Sequence, residues 1–353
     1  MSQKNTPNKA QLERLLENRK KHEEGMNPDL LVKKIIAGDK TALSEAITLI
    51  ENTNDVKSQK GQTILKACLP ESGKSIRIGI TGVPGVGKSS FIEAFGIFLV
   101  NLGKKVAVMA IDPSSEVSHG SILGDKTRMN ELAVHPNAFI RPTATSGSLG
   151  GVARKTRETI LLCEAAGYDI VLVETVGVGQ SEIEVHSMTD FFLLLMLAGA
   201  GDELQGIKRG IMEMADAILI TKADGNNVKP ANLARSEYKN ALHLFPAKEN
   251  EWIPKVETIS AIELRGMEKV WDIISSYDNL TVSNGWKQKR RDEQQIYWMQ
   301  ETVKSQLMHD FNKTAGIAEE IKTISKALKN GEITSYQAAA AIIAYFKNGK
   351  RSV

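Results

Sequence analysis

The chain has 353 residues and a net charge of +3, with basic and acidic residues spread along its length. This balance predicts no nucleic-acid partner. No membrane partner is expected either, because the longest apolar stretch, residues 191–200, is too short to span a bilayer. A polar amino-terminal stretch and two cysteines in apolar helical patterns, Cys68 and Cys163, predict a cytoplasmic protein without disulfides.

Residues 1–70 form the first predicted segment. Apolar residues recur there at helical spacing, with breaks at Gly25 and Gly38. The pattern predicts amino-terminal helices that carry no catalytic chemistry and pack on the main domain.

Residues 71–280 alternate short apolar runs with longer amphipathic runs. The predicted strands are residues 75–81, 105–111, 138–142, 169–174, 190–197, 217–221 and 255–259. Because continuous apolar strands alternate with helices, we predict an α/β fold with a mostly parallel sheet covered by helices on both faces. Ligands of such a sheet bind beyond the carboxyl ends of the strands.

The first predicted strand leads into a glycine-rich turn and then a helix. Gly82, Gly87, Lys88 and Ser89 fill the G-x-x-x-x-G-K-[ST] frame of a P-loop NTPase. The glycines let backbone N–H groups surround a phosphate, Lys88 is predicted to reach the β- and γ-phosphates, and Ser89 to ligate Mg²⁺. The predicted nucleotide-binding residues of this turn are Gly82, Val83, Pro84, Gly85, Val86, Gly87, Lys88, Ser89 and Ser90.

Carboxylates follow the second and fourth predicted strands. For Asp112 and Asp125, residue type alone leaves metal binding and ordinary capping equally open. Glu174 ends the fourth strand and Gly177 comes three residues later, an arrangement that holds Mg²⁺ and offers an N–H to the γ-phosphate. Gln180 is a candidate for orienting the attacking water, with a merely solvated amide as the alternative.

A base-reading element is predicted after the sixth strand. Thr221, Lys222 and Asp224 resemble the N-K-x-D element, in which a carboxylate accepts from N1–H and N2–H₂ of guanine while the lysine stem packs over the base. The last strand ends at Ser260 and Ala261, where a backbone amide is predicted to contact guanine O6.

Two further segments lie outside this predicted site. Residues 199–210 contain four glycines and several charges, which predicts a segment that exchanges contacts between states. In residues 285–353, apolar residues recur every three or four positions, which predicts three helices with an exposed apolar face. A helical lid packed on its own domain is the alternative for these helices.

Together the motifs resemble those of the GTPase chaperone family associated with methylmalonyl-CoA mutase, the MeaB or ArgK type, also known as LAO/AO transport system kinases. The match covers about residues 30–271 and rests on GVPGVGKSS, AIDPSS, GSILGDKTRM, ETVGVGQSE, GAGDELQGIKRG, TKAD and SA in that order. The resemblance implies GTP or GDP as the ligand. It implies Mg²⁺ held by Ser89, Asp112, Asp125 and Glu174, and these catalytic residues: Lys88, Asp112, Asp125, Glu174 and Gln180.

The resemblance also implies a function. The protein is expected to hydrolyse GTP and to assist the assembly, protection or cofactor loading of an adenosylcobalamin-dependent acyl-CoA mutase of the methylmalonyl-CoA mutase type. Residues 199–210 would couple nucleotide state to the mutase, and residues 285–353 would form the dimerisation arm of a homodimer. The family usually has asparagine at position 221, so Thr221 predicts a weaker brace for the base-reading loop. The alternative is a kinase that phosphorylates a periplasmic amino-acid transport protein or a small metabolite.

Overall fold

The structure is a computed structural model that describes residues 27–52, 54–111, 129–143, 149–175, 181–199 and 209–349. The chain divides into two compact units, Met1–Arg290 and Arg291–Val353. The predicted segment boundaries, 1–70, 71–280 and 285–353, stay predictions.

The first described elements are helices. They are α1 Pro28–Ile36, α2 Lys40–Glu51 and α3 Asp55–Cys68. The residue before each helix, Asn27, Asp39 or Asn54, accepts a hydrogen bond from the first turn through its side chain, which explains where these helices begin. Gly38, with φ of 84°, lies between α1 and α2, where the sequence predicts a break.

The sheet confirms the predicted fold class. Its strands are β1 Ile76–Gly82, β2 Val106–Ile111, β3 Ala138–Thr143, β4 Ile170–Thr175, β5 Phe191–Leu197, β6 Ala217–Thr221 and β7 Lys255–Thr258. The seven strands lie in the order β3-β2-β4-β1-β5-β6-β7, and every described pairing is parallel. All seven predicted strands are present, with ends that agree to about one residue.

Helices cover both faces of this sheet. They are α4 Lys88–Asn101, α5 Asn130–Val134, α6 Leu149–Ala165, α7 Ser181–His186, α8 Arg209–Met214, α9 Val228–Leu242 and α10 Met267–Ser283. Leu193 of β5 belongs to the apolar cluster of Phe91 and Phe95, whereas the adjacent Leu194 belongs to that of Tyr238. Burial on both faces explains why β5 is apolar at every position. Within the described ranges, no helix has the length and apolar character needed to cross a bilayer.

A buried ion pair anchors the amino end of β1. Arg77 donates from Nε and Nη2 to the two carboxylate oxygens of Glu164 in α6, at 2.8 Å each. The Ser75 hydroxyl donates to Glu164 Oε1 at 2.6 Å. Paired in this way, the two charges can remain inside the fold and join α6 to the strand that leads to the glycine-rich turn.

The carboxyl-terminal helices are present as the sequence predicts. They are α11 Trp286–Lys313, α12 Ile317–Lys329 and α13 Ser335–Gly349. In the second unit, the Phe311 and Phe346 rings meet edge to face with centroids 5.4 Å apart. Tyr345 Oη donates to Ala315 O at 3.2 Å, which ties α13 to the turn before α12.

Candidate nucleotide-binding site

The turn between β1 and α4 has the backbone that a phosphate loop needs. At Gly82, φ is 155°, and a Cβ there would lie 2.6 Å from Leu195 O. Gly87 has φ of 100° and directly precedes Lys88, the first residue of α4. Both positions therefore favour glycine. The turn brings the first N–H groups of α4 to the carboxyl edge of the sheet, where an anion is stabilised.

Lys88 is folded back over this turn. Its Nζ donates to Gly82 O at 2.7 Å and to Val83 O at 3.4 Å. Burial lowers the pKa of Lys88, while the negative charges of Glu174 and Glu182 act to raise it. The amine is thus held beside the loop by backbone carbonyls and lies in the field of two buried carboxylates.

Two predicted metal ligands meet at the same edge. Ser89 Oγ donates to Glu174 Oε1 at 3.2 Å, and Glu174 is only 4% exposed. Glu174 of β4 is in register with Ile80 of β1, the neighbouring strand that leads into the turn before Ser89 and α4. A hydroxyl and a carboxylate are hard oxygen donors of the type that Mg²⁺ prefers. No group of three or more His, Cys, Asp or Glu able to hold a metal occurs among the described residues.

Thr221 links the base-reading element to the phosphate loop. Its hydroxyl donates to Val86 O at 2.7 Å and lies 3.2 Å from Met196 O. Thr221 is buried at the end of β6, so this contact is shielded from water. The threonine hydroxyl supplies a donor to the loop, so a brace is present, and its strength relative to that of asparagine stays a prediction.

Asp224 is oriented by the last predicted motif. Ser260 Oγ donates to Asp224 Oδ2 at 2.7 Å, and the Ser260 hydroxyl in turn accepts from Glu263 N–H at 3.1 Å. Ser260 is fully buried, whereas Asp224 is half-buried. The serine therefore holds one carboxylate oxygen, and the other has no hydrogen bond from a side chain in the described part of the chain. Ala261, the adjacent predicted base contact, is also half-buried.

Two residues that the sequence did not single out, Asn227 and Arg265, contact the base-reading loop, and a third, Glu182, acts on Lys88. Lys222 has a positive φ of 54°, and its carbonyl accepts from Asn227 Nδ2 at 2.7 Å. Arg265 donates from Nη2 to Ala223 O. Glu182, almost fully buried in α7, contributes to the field at Lys88. Only Glu182 had a sequence signal, an acidic residue two positions after Gln180.

Three hydrogen bonds join described predicted residues in pairs. Ser89 donates to Glu174, Thr221 donates to Val86 of the phosphate loop, and Ser260 donates to Asp224. The remaining candidates, Asp112, Asp125, Gly177 and Gln180, lie outside the described residues, as do residues 200–208 of the predicted switch. The catalytic and ligand roles of all these residues stay predictions.

The fold and this arrangement define a P-loop NTPase of the guanine-nucleotide class. A family model described as methylmalonyl Co-A mutase-associated GTPase MeaB matches residues 43–315. The chain belongs to this family, which confirms the resemblance found in the sequence and the prediction of a guanine-nucleotide-binding GTPase.

Individual relatives agree with this assignment. A probable GTPase of Mycobacterium tuberculosis is 47% identical over 315 residues, covering 89% of this chain and 94% of the relative. The mouse methylmalonic aciduria type A homolog, a mitochondrial protein, is 42% identical over 93% of this chain and 83% of its own length. A crystal structure of an LAO/AO transport system kinase superposes with a TM-score of 0.73 at 35% identity, covering 91% of this chain and 99% of that one.

Proposed function

We propose that this protein hydrolyses GTP at the carboxyl edge of its sheet and uses the nucleotide state to assist an adenosylcobalamin-dependent acyl-CoA mutase of the methylmalonyl-CoA mutase type. The observation that carries the proposal is a set of three hydrogen bonds at one edge of the sheet, Ser89 to Glu174, Thr221 to Val86 and Ser260 to Asp224. They involve the two candidate Mg²⁺ ligands, the phosphate loop and the base-reading carboxylate. The cytoplasmic location predicted from the sequence is kept as part of this proposal.

Magnesium fits the residues at this edge. Ser89 and Glu174 supply neighbouring oxygen donors, and Asp112 and Asp125 are proposed to complete the set. When bound, Mg²⁺ would neutralise charge on the β- and γ-phosphates. Lys88, held at the turn, would supply a second positive charge to the same phosphates, and Gln180 is proposed to position the attacking water.

The partner is proposed from the family. The matching family model is described as methylmalonyl Co-A mutase-associated, and the mouse relative is named for methylmalonic aciduria. We propose that residues 199–210 relay the nucleotide state to the mutase, and that the mutase in turn accelerates hydrolysis by ordering the catalytic segments.

A turnover assay tests this relay. GTP hydrolysis is measured with and without a purified methylmalonyl-CoA mutase, for the wild type and for Lys208→Ala. We expect acceleration by the mutase and a larger loss of acceleration than of basal turnover in the variant. Lys229→Ala, which removes an exposed lysine from α9, is the control and keeps both rates. Equal losses in both rates for Lys208→Ala would make the segment catalytic or structural and not a relay.

A homodimer is proposed through the second unit. Helix α11 exposes apolar side chains at helical spacing, Ile296, Met299, Val303 and Leu307, each at least half exposed. Such a stripe suits burial against a second copy of the chain. We expect Val303→Asp in the full chain to give monomers on light scattering, while Ser305→Asp, at an exposed position on the opposite face of the same helix, stays dimeric. A Val303→Asp protein that stays dimeric places the interface elsewhere.

A kinase is the second candidate, because the superposed structure is described as a transport system kinase. Incubation with labelled GTP and candidate acceptor proteins separates the two functions. The proposed GTPase releases inorganic phosphate in the absence of any acceptor, whereas a kinase retains the label on one.

A further inference from the structure

A cavity of about 470 Å³ lies at the amino edge of the sheet, away from the phosphate loop. Asp216, which lines it, directly precedes β6, and His186, Asn250 and Pro254 precede β5 and β7. Thr221 of the candidate nucleotide site ends β6 at the opposite edge. The volume is in the range of small-molecule sites, roughly 300 to 1,000 Å³.

Two short helices end at this cavity. His186 is the last residue of α7, and Met214 is the last residue of α8. In the sequence, α7 directly follows residues 176–180, which include Gly177 and Gln180, and α8 directly follows residues 200–208. The carboxyl-terminal ends of α7 and α8 therefore form part of the cavity wall. Each of these helices directly follows a segment that is predicted to sense the nucleotide.

The start of α11 forms a third wall. Trp286 and Arg290 both lie in the opening turns of this helix and line the cavity. An occupant would thus contact α7, α8 and the first turns of α11 at once. Because a ligand shifts a conformational equilibrium only through contacts that differ between states, this position suits a regulatory ligand.

The residues that line the cavity favour a ligand with an apolar body. Met212, Leu242, Phe245 and Pro246 line the cavity together with the Trp286 ring. Burial lowers the pKa of His186 to about 3, with the charge of Arg290 adding to that effect, so this imidazole is neutral at physiological pH. The Trp286 Nε1–H is buried and has no acceptor among the described residues. Most of the lining therefore favours an apolar or aromatic ligand.

Among the described residues that line the cavity, one cation is available to a ligand. Lys248 Nζ is already engaged by Asp216 Oδ1 at 2.8 Å and by the carbonyls of Ala215 and Met214. Arg290 donates from Nη2 to His186 O at 3.3 Å, and no described carboxylate pairs with its guanidinium. Guanidinium groups pair with carboxylates in two-pronged geometry.

The remaining acidic groups restrict the ligand to one negative charge. Glu213 and Glu249 also line the cavity, and both are exposed. Glu249 Oε2 lies 3.4 Å from Lys289 Nζ, whereas Glu213 has no cationic partner among the described residues. Their position at the solvent side disfavours a ligand that carries several anionic groups.

We propose that this cavity is a second ligand site, for a small molecule with an apolar body and a single carboxylate paired to Arg290, and that its occupancy is linked to the nucleotide state. The linkage rests on the proposed function, whereas the site itself does not. Binding to nucleotide-free protein therefore tests the site alone, and binding in two nucleotide states tests the linkage.

The probe is 2-naphthoate, titrated calorimetrically into the nucleotide-free full chain. For a ligand of this size we expect a Kd of roughly 0.1 to 1 mM. Arg290→Gln should weaken binding by about tenfold or more, because the charged hydrogen bonds to the carboxylate are lost. Ala247→Trp, at an exposed lining position, should block binding by filling the cavity.

Two controls separate this result from misfolding and from nonspecific adsorption. Lys239→Gln removes an exposed cation of α9 outside the cavity and should leave the Kd unchanged. The cation 2-naphthylmethylammonium should bind at least about tenfold more weakly than naphthoate. Thermal melts of Arg290→Gln and Ala247→Trp establish that both variants are folded.

The outcomes decide both parts. No heat from naphthoate at about 5 mM, well above the expected Kd, or equal affinity in wild type, Arg290→Gln and Ala247→Trp, overturns the site.

If the site binds, the Kd is compared between protein loaded with GDP and with a non-hydrolysable GTP analogue. A difference of about threefold or more supports the linkage, and equal values overturn the linkage while leaving the site. Wild-type protein that binds naphthoate but does not hydrolyse GTP would instead contradict the proposed function.

Discussion

Two aspartates flank the same strand, and their surroundings differ. Asp216, immediately before β6, is fully buried, and each of its carboxylate oxygens has a partner: Lys248 Nζ at 2.8 Å and Phe192 N–H at 3.0 Å. Asp224, three residues after β6, is half-buried and receives a single side-chain hydrogen bond in the described part of the chain, from Ser260. Residue type is the same at both ends of the strand.

The surroundings of a carboxylate in a parallel sheet thus indicate its role. A carboxylate with partners from its own chain on both oxygens serves the fold, since removing it would leave a half-buried cation and a buried N–H without their acceptor. A carboxylate that is oriented through one oxygen and accessible through the other is ready to accept from a ligand. The carboxyl edge, where ligands of such sheets bind, holds the second kind.

The largest expected effect is structural and comes from Asp216. Asp216→Asn places an amide donor where Lys248 or Phe192 N–H needs an acceptor, so we expect a loss of about 3 kcal/mol or more in the free energy of unfolding. Urea unfolding measures this loss. Asp272→Asn, at an exposed position of α10, is the control and should change stability by less than about 0.5 kcal/mol.

The folded fraction of Asp216→Asn should keep its preference for GTP, because the substitution is at the opposite end of β6 from the base-reading loop. A change of base preference in this variant, with stability intact, would break the division between the two edges.

The next largest effect concerns the phosphate loop. Lys88→Ala removes a charge that faces the phosphates and no core packing, so we expect GTP turnover to fall by about 10² to 10³. Circular dichroism should report an unchanged fold. Lys229→Ala, a substitution of an exposed lysine in α9, is the matched control. Near-normal turnover in folded Lys88→Ala protein would contradict the phosphate-loop assignment.

A smaller effect is expected at Thr221. Thr221→Val keeps the shape but removes the hydroxyl that donates to Val86 O, so the base-reading loop is tied less firmly to the phosphate loop. We expect GTP affinity to fall about threefold to tenfold, the equivalent of one modest hydrogen bond. Thr221→Asn restores a donor and should recover affinity. A Thr221→Val protein that binds GTP as tightly as the wild type would remove the bracing role.

Most of the fold could be predicted because its signals are local. A strand buried on both faces is apolar at successive positions, as in Phe191–Leu197, and helices between such strands force a parallel arrangement. The phosphate loop was equally visible, since its glycines and Lys88 lie within a few residues of one another. The order of the strands across the sheet was not predicted, because it depends on contacts between residues far apart in sequence.

The site was predicted in its parts and not in its connections. Thr221 and Val86 are 135 residues apart, so no local pattern announces that the threonine hydroxyl reaches the phosphate loop. The same holds for Arg265, whose side chain reaches back to Ala223. Whether a threonine side chain reaches the loop depends on the distance between the end of β6 and the turn after β1, which no local pattern reports.

Calorimetric titration of Asp224→Asn with GTP and XTP is the most direct test of a guanine site at this edge of the sheet. The substitution removes the acceptor for guanine N1–H and N2–H₂ and supplies an amide donor that suits the O2 carbonyl of xanthine. Because Asp224 is half-buried and Ser260 can still hold its side chain, stability should change little. We expect a shift in preference of about a hundredfold or more from GTP toward XTP. Unchanged GTP binding in this variant, or wild-type protein that binds ATP as tightly as GTP, would contradict a guanine site at this edge of the sheet.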